Sequence, residues 1–151
     1  MSPAESAHSQ TIAAGVLPVI MVIDDSPSVR KIIEFGFGRH GIRVLAFPEG
    51  ISMIRAFSSD DIPAPALLLL DIGLPRMNGY QVAQIIRANQ KFSDMKIIML
   101  TAHNGVIDHV NSLRIRASAY IKKPFRIKEV IREVCEQLGI PVPPPVDLPP
   151  A

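Results

Sequence analysis

Five short apolar runs, each followed by a stretch with helical spacing, constrain this chain more than any other feature. The runs are Val19–Ile23, Val44–Phe47, Ala66–Leu70, Lys96–Leu100 and Ala119–Ile121. Short, mostly apolar runs are the pattern of strands covered on both faces. Between and after them lie helical stripes: Val29, Ile32, Ile33 and Phe37; then Ile51, Ile54 and Phe57; then Val82, Ile85 and Ile86. Val106, Val110 and Leu113 make a fourth, and Ile127, Val130, Ile131, Val134 and Leu138 a fifth. Ser26 before Pro27 suits a helix N-cap and first turn, Asn78-Gly79 marks the turn before the third helix, and Gly139 closes the last. Strand and helix therefore alternate five times. Such alternation predicts an α/β fold, an open, doubly wound sheet of five parallel strands with five helices. Ligands of such sheets sit beyond the carboxyl ends of the strands, where strand order reverses.

The chain has 151 residues, 48% of them hydrophobic and 20% charged. That describes one folded domain, and the expected division is a flexible leader at 1–17, a domain at 18–139 and a proline-rich tail at 140–151. The apolar stretch 12–23 resembles the core of a signal peptide, but the first Lys or Arg is Arg30, so the positive flank is missing. No apolar run reaches the roughly 18 residues that a membrane span needs. One cysteine, Cys135, excludes an internal disulfide and fits a reducing, cytoplasmic location. The net charge of +2 does not imply nucleic-acid binding. The tail holds six prolines; its Pro141–Pro144 spacing matches a docking motif, but a plain disordered end is the expectation.

The strand ends carry chemistry. The first delivers Asp24 and Asp25, the third Asp71, the fourth Thr101, and Lys122-Lys123-Pro124 follows the fifth. Singly, an aspartate could cap a helix and the lysines could form a solvated pair. Together, three carboxylates at the ligand edge need a cation to share, and oxygen-only ligands favour Mg²⁺. A carboxylate beside such an ion can act as nucleophile toward a phosphoryl group, while a lysine and a hydroxyl offset its charge. His8, His40, His103 and His109 lack metal-site spacing, and no glycine-rich phosphate loop is present.

The series Val-Ile-Asp-Asp-Ser (22–26), Asp-Ile-Gly-Leu-Pro-Arg-Met-Asn-Gly (71–79), Met-Leu-Thr-Ala (99–102) and Tyr-Ile-Lys-Lys-Pro-Phe (120–125) resembles the receiver domain of bacterial two-component response regulators. The resemblance runs over about residues 18 to 139. It implies a flavodoxin-like strand order of 2-1-3-4-5. It implies that Asp71 accepts a phosphoryl group from a histidine kinase or phosphotransfer protein. Asp24 and Asp25 would organise Mg²⁺, Asp25 directly and Asp24 largely through water, with Asp71 and the Gly73 backbone carbonyl completing the set. Thr101 and Lys123 would stabilise the phosphoryl group, and Tyr120 would be the aromatic that swings inward with Thr101. Pro124 would follow Lys123 through a cis bond, leaving Lys122 as the neighbour that points elsewhere. Arg116 stands where the family commonly has glycine, which puts that loop's geometry in question.

The leading expectation is a stand-alone, phosphorylated signalling module of a two-component phosphorelay, not an enzyme with its own substrate. Its output would be protein binding through the face of the fourth helix, fifth strand and fifth helix, with a phosphorylation-dependent homodimer as one form. A phosphohydrolase would need a general acid near the nucleophile, and two residues beyond Asp71 lies Gly73. Residues 114 to 132 hold seven basic residues against Glu129, including Arg114, Arg116, Lys122, Arg126 and Lys128. An acidic protein partner explains that patch better than nucleic acid, so no direct DNA binding and no membrane contact are expected.

Overall fold

The structure, a computed structural model, describes residues 16–58, 62–102 and 108–147. Five parallel strands, β1 (Val19–Ile23), β2 (Arg43–Phe47), β3 (Leu67–Asp71), β4 (Lys96–Thr101) and β5 (Ala119–Lys122), form one sheet in the order β2-β1-β3-β4-β5. Five helices follow them: α1 (Pro27–Gly38), α2 (Gly50–Ala56), α3 (Gly79–Ala88), α4 (His109–Ile115) and α5 (Ile127–Leu138). The doubly wound fold and its strand order are as expected.

The sheet separates two cores. On one face Ile33 and Phe37 of α1 meet Val130, Ile131 and Val134 of α5 over Ile20, Val22, Leu67 and Leu69. On the other, Met53 of α2, Val82, Ala83 and Ile86 of α3 and Ile115 of α4 cover Met21, Leu68, Leu70 and Met99. Every leucine of β3 is fully buried, as a central strand covered on both faces requires.

Local signals for helix ends hold. Ser26 Oγ accepts the Val29 N–H at the start of α1. Asn78 and Gln81 form a reciprocal capping box at α3, and Gly139 closes α5 at φ +67°.

Several stripe positions do not. Ile32, Ile51, Ile54 and Ile85 are exposed, and α2 buries Met53 in place of the isoleucines. The α4 stripe fails most clearly: Val110 and Leu113 are 70% and 81% exposed, while Ile115 is the residue this helix buries. Val106 lies outside the described residues. Spacing predicts which residues share a face, but the sheet decides which face turns inward.

The tail also departs from expectation. Through residue 147 it lies against the turn after α1, where the Val146 N–H donates to the Arg39 carbonyl at 2.7 Å. The Pro143 carbonyl accepts from His40 Nδ1 at 2.6 Å. Ile140 packs beside the α1–α5 core. A disordered end is therefore wrong for residues 140–147. The hydrogen bonds of Pro143 and Val146 and the partial burial of Ile140 hold this stretch in place, while Val142 and Val146 stay exposed. Most of the leader, residues 1–15, and the end of the tail lie outside the described residues.

Candidate functional site

Strand register assembles the site. Ile23 pairs with Leu70, so Asp24 and Asp71, one step further along β1 and β3, emerge side by side. Thr101 pairs with Lys122, and the Lys123 N–H donates to the Thr101 carbonyl at 2.7 Å, bringing the β5 end to the same edge. Asp24, Asp25 and Asp71 each offer a carboxylate oxygen, all within 4.8 Å of one another. Lys123 Nζ lies 2.6 Å from Asp24 Oδ2 and 3.4 Å from Asp71 Oδ2. The Lys123–Pro124 bond is cis. Lys122 is exposed and joins no ion pair among the described residues.

The aspartates differ in setting. Asp24 is fully buried; its Oδ1 accepts the Ser26 N–H at 2.9 Å, and its Oδ2 is met by the Lys123 ammonium at 2.6 Å. Asp25 is exposed. Asp71 is 6% exposed, and its Oδ1 accepts the Gly73 N–H at 3.0 Å. Burial raises the Asp71 carboxyl above its ordinary value, and the Asp24 charge adds to this; the Gly73 N–H and Lys123 oppose both. Burial alone would pull the Lys123 ammonium down, yet its contacts with Asp24 and then Asp71 hold it above the ordinary lysine range. The edge thus holds excess negative charge with one ammonium to offset it. Three hard oxygen donors so close together suit a divalent cation, so the residues fit Mg²⁺.

Thr101 is 2% exposed and its hydroxyl donates to the Ala102 carbonyl at 3.3 Å, not to the carboxylates. Tyr120 is half-buried, with its hydroxyl against Ser112 Oγ and 3.4 Å from the Tyr80 hydroxyl. Tyr80 in turn accepts the Asp108 N–H at 3.1 Å. Burial pushes the Tyr120 phenol up to about 12, the Ser112 hydrogen bond working against it.

Four residues here escaped the sequence reading as site residues. Tyr80 and Ser112 hold Tyr120, and their periodicity marks them only as helix positions. Arg30 Nη1 donates to the Asp24 carbonyl at 2.7 Å; its place six residues after Asp24 was the available signal. At Gly79 an added Cβ would sit 2.4 Å from the Asp71 carbonyl oxygen, so α3 can begin against the end of β3 only with glycine there. Arg116 resolves the question about its loop: it takes the left-handed conformation, φ 55° and ψ 52°, that glycine would favour. Its side chain leaves the basic patch and donates to the Ser93 carbonyl at 2.9 Å.

The sequence profile of the response regulator receiver domain matches residues 20–135, and the chain belongs to that family. It is 40% identical over 111 residues to the probable transcriptional regulator ycf27 of Galdieria sulphuraria, covering 74% of this chain and 41% of that protein. Among solved structures it resembles a response regulator receiver protein from Burkholderia phymatum (TM-score 0.72, 29% identity, 83% of this chain and 98% of that one). It also resembles the receiver domain of sensor histidine kinase PA1611 from Pseudomonas aeruginosa PAO1 (TM-score 0.70, 28% identity, 82% and 99%), solved with a magnesium ion coordinated in its active-site cleft. The chain spans about half the length, or less, of the curated relatives it matches. No helix among the described residues is long and apolar enough to cross a membrane.

Proposed function

We propose that this receiver domain is phosphorylated on Asp71 by a histidine kinase or phosphotransfer protein and signals through the change that follows. The observation that carries the reading is the three-aspartate cluster with Lys123 reaching both Asp24 and Asp71. A Mg²⁺ held by Asp24, Asp25, Asp71 and the Gly73 carbonyl would supply positive charge against the carboxylates and the phosphoryl oxygens. Asp71 is the nucleophile: a carboxylate oxygen attacks phosphorus, the bond to the donor's leaving group breaks, and an acyl phosphate remains. Lys123, 3.4 Å from Asp71 in the resting state, exchanges a carboxylate for the new phosphoryl oxygens. The Thr101 hydroxyl turns from the Ala102 carbonyl toward them, and Tyr120 follows into the space it leaves. The chemistry is self-phosphorylation and autodephosphorylation, with no separate substrate turned over, and the setting is cytoplasmic.

For output we propose a protein partner at the α4–β5–α5 face, on which Val110 and Leu113 of α4 are exposed and Arg114, Lys122, Arg126 and Lys128 are exposed cations. A phosphorylation-dependent homodimer through that face is one form of it. A second reading has its own support. The relatives are named transcriptional regulators and are longer, so the expectation that DNA plays no part gains nothing from them. On that reading the same receiver governs a DNA-binding partner domain.

Incubation with acetyl phosphate and Mg²⁺ should add one phosphoryl group to the intact protein, as read by mass spectrometry. Asp71→Asn should abolish it, and EDTA should suppress it. Full labelling of Asp71→Asn would overturn the assignment.

A further inference from the structure

At the edge of the sheet opposite the acidic cluster, Arg87 of α3 reaches across to the turn between α4 and β5. Its Nε donates to the Ile115 carbonyl at 2.6 Å and its Nη2 to the Arg116 carbonyl at 3.2 Å. Its Nη1 donates to the Met95 and Ser93 carbonyls, at 2.5 and 3.0 Å. Arg116 Nη2 donates to the same Ser93 carbonyl at 2.9 Å, so two guanidinium groups share one oxygen.

These carbonyls orient the two arginines without neutralising them. Among the described residues neither arginine forms an ion pair; the pairs present are Arg76–Glu49, Lys123–Asp24 and Lys123–Asp71. Burial and the Arg116 charge both lower the Arg87 guanidinium from its ordinary value, and Asp94 opposes them only in part. The two arginines line a cavity of about 180 Å³ together with Lys96, Asp94, Ser93, Met95 and Ser118. Three cations and one carboxylate leave that lining at net +2. Arg116 also holds a positive φ, at a position glycine would occupy without strain. A long cation kept in an unfavourable backbone conformation, beside a second unneutralised one, calls for a function.

We propose that this cavity is a binding site for a small dianionic oxyanion, inorganic phosphate or a phosphate ester, held by Arg87, Arg116 and Lys96 with Ser118 as a hydroxyl donor. A dianion balances the net charge, whereas a single carboxylate would balance half of it. Arg116, with one N–H on the Ser93 carbonyl, can offer phosphate oxygens a pair of donors, whereas Arg87, with four of its five N–H groups on carbonyls, contributes charge and at most one donor. A ligand there would tie the α3–β4 loop to the α4–β5 turn, fixing the C-terminal end of α4.

Inorganic phosphate, titrated without Mg²⁺ and at constant ionic strength against chloride, tests the site through backbone amide shifts. The expected result is a saturable shift of Ser93, Arg116 and Ser118, with affinity at least about tenfold weaker in Arg116→Gly. That variant removes the charge while relieving the positive φ, so it keeps the fold; Lys96→Ala, at an exposed position, should weaken binding as well. Equal shifts in chloride, unchanged affinity in both variants, or shifts confined to the acidic cluster would overturn the proposal.

Discussion

Lys123 meets Asp24 at 2.6 Å and Asp71 at 3.4 Å, so Asp24 holds the ammonium more closely than Asp71, the proposed acceptor, does. Removing Lys123 strands a fully buried Asp24. Lys123→Ala should destabilise the protein by about 1–3 kcal/mol, short of the full cost of a broken buried pair because the lysine keeps some solvent contact. Lys122→Ala should change stability by no more than about 0.5 kcal/mol, and denaturant melts of the two variants separate the cases. Asp71 predicts the opposite sign. Its folded-state value is raised, so the folded protein favours its protonated form. In metal-free protein this carboxyl therefore costs stability as pH rises from the ordinary carboxylate value through the folded one, and the cost persists at neutral pH. Asp71→Asn should raise the EDTA-treated Tm by a few degrees at pH 7, and the gain should vanish in acid. Equal melting temperatures at pH 7 would remove the electrostatic account. At this scale the placement was legible, because periodicity locates the strand ends that carry the acidic pair, Asp71, Thr101 and the Lys122-Lys123 pair; the choice of Lys123 over Lys122 came from the family resemblance. Tyr80, Ser112 and Arg30 were not legible, because their partners come from other elements.

Elements were legible where their signals are local. The Ser26-Pro27 start, the Asn78 capping box and the Gly139 stop involve residues within one turn. Facing was not, because α2, α3 and α4 are oriented by a sheet assembled from distant strands, which leaves Ile54, Ile85, Val110 and Leu113 exposed. The junction of β3 and α3 carries the sharpest steric demand. A Cβ at Gly79 would sit 2.4 Å from the Asp71 carbonyl oxygen and 2.8 Å from Ile72 Cα, both backbone atoms with no rotamer to yield. Gly79→Ala should destabilise by about 1–3 kcal/mol and, on the proposed function, slow labelling from acetyl phosphate, since the shift falls on the backbone of Asp71. A substitution that leaves both stability and labelling unchanged would mean that α3 can retreat from the site freely.

For the whole molecule, alternation and chirality rules leave few topologies, and the parallel order β2-β1-β3-β4-β5 is among them. The docked tail and the Arg87 hub escaped, because each depends on main-chain carbonyls whose placement only the finished fold determines. That order sets β1 beside β3 and gathers Asp24, Asp25 and Asp71 at one edge, where the proposed acceptor can be tested by chemical trapping. An acyl phosphate is reduced by borohydride, and an aspartyl phosphate so treated becomes homoserine. After acetyl phosphate and Mg²⁺, peptide sequencing by mass spectrometry should find homoserine at position 71 and aspartate retained at 24 and 25. Homoserine at 24 or 25, or a phosphoryl group on any other side chain, would contradict Asp71 as the acceptor.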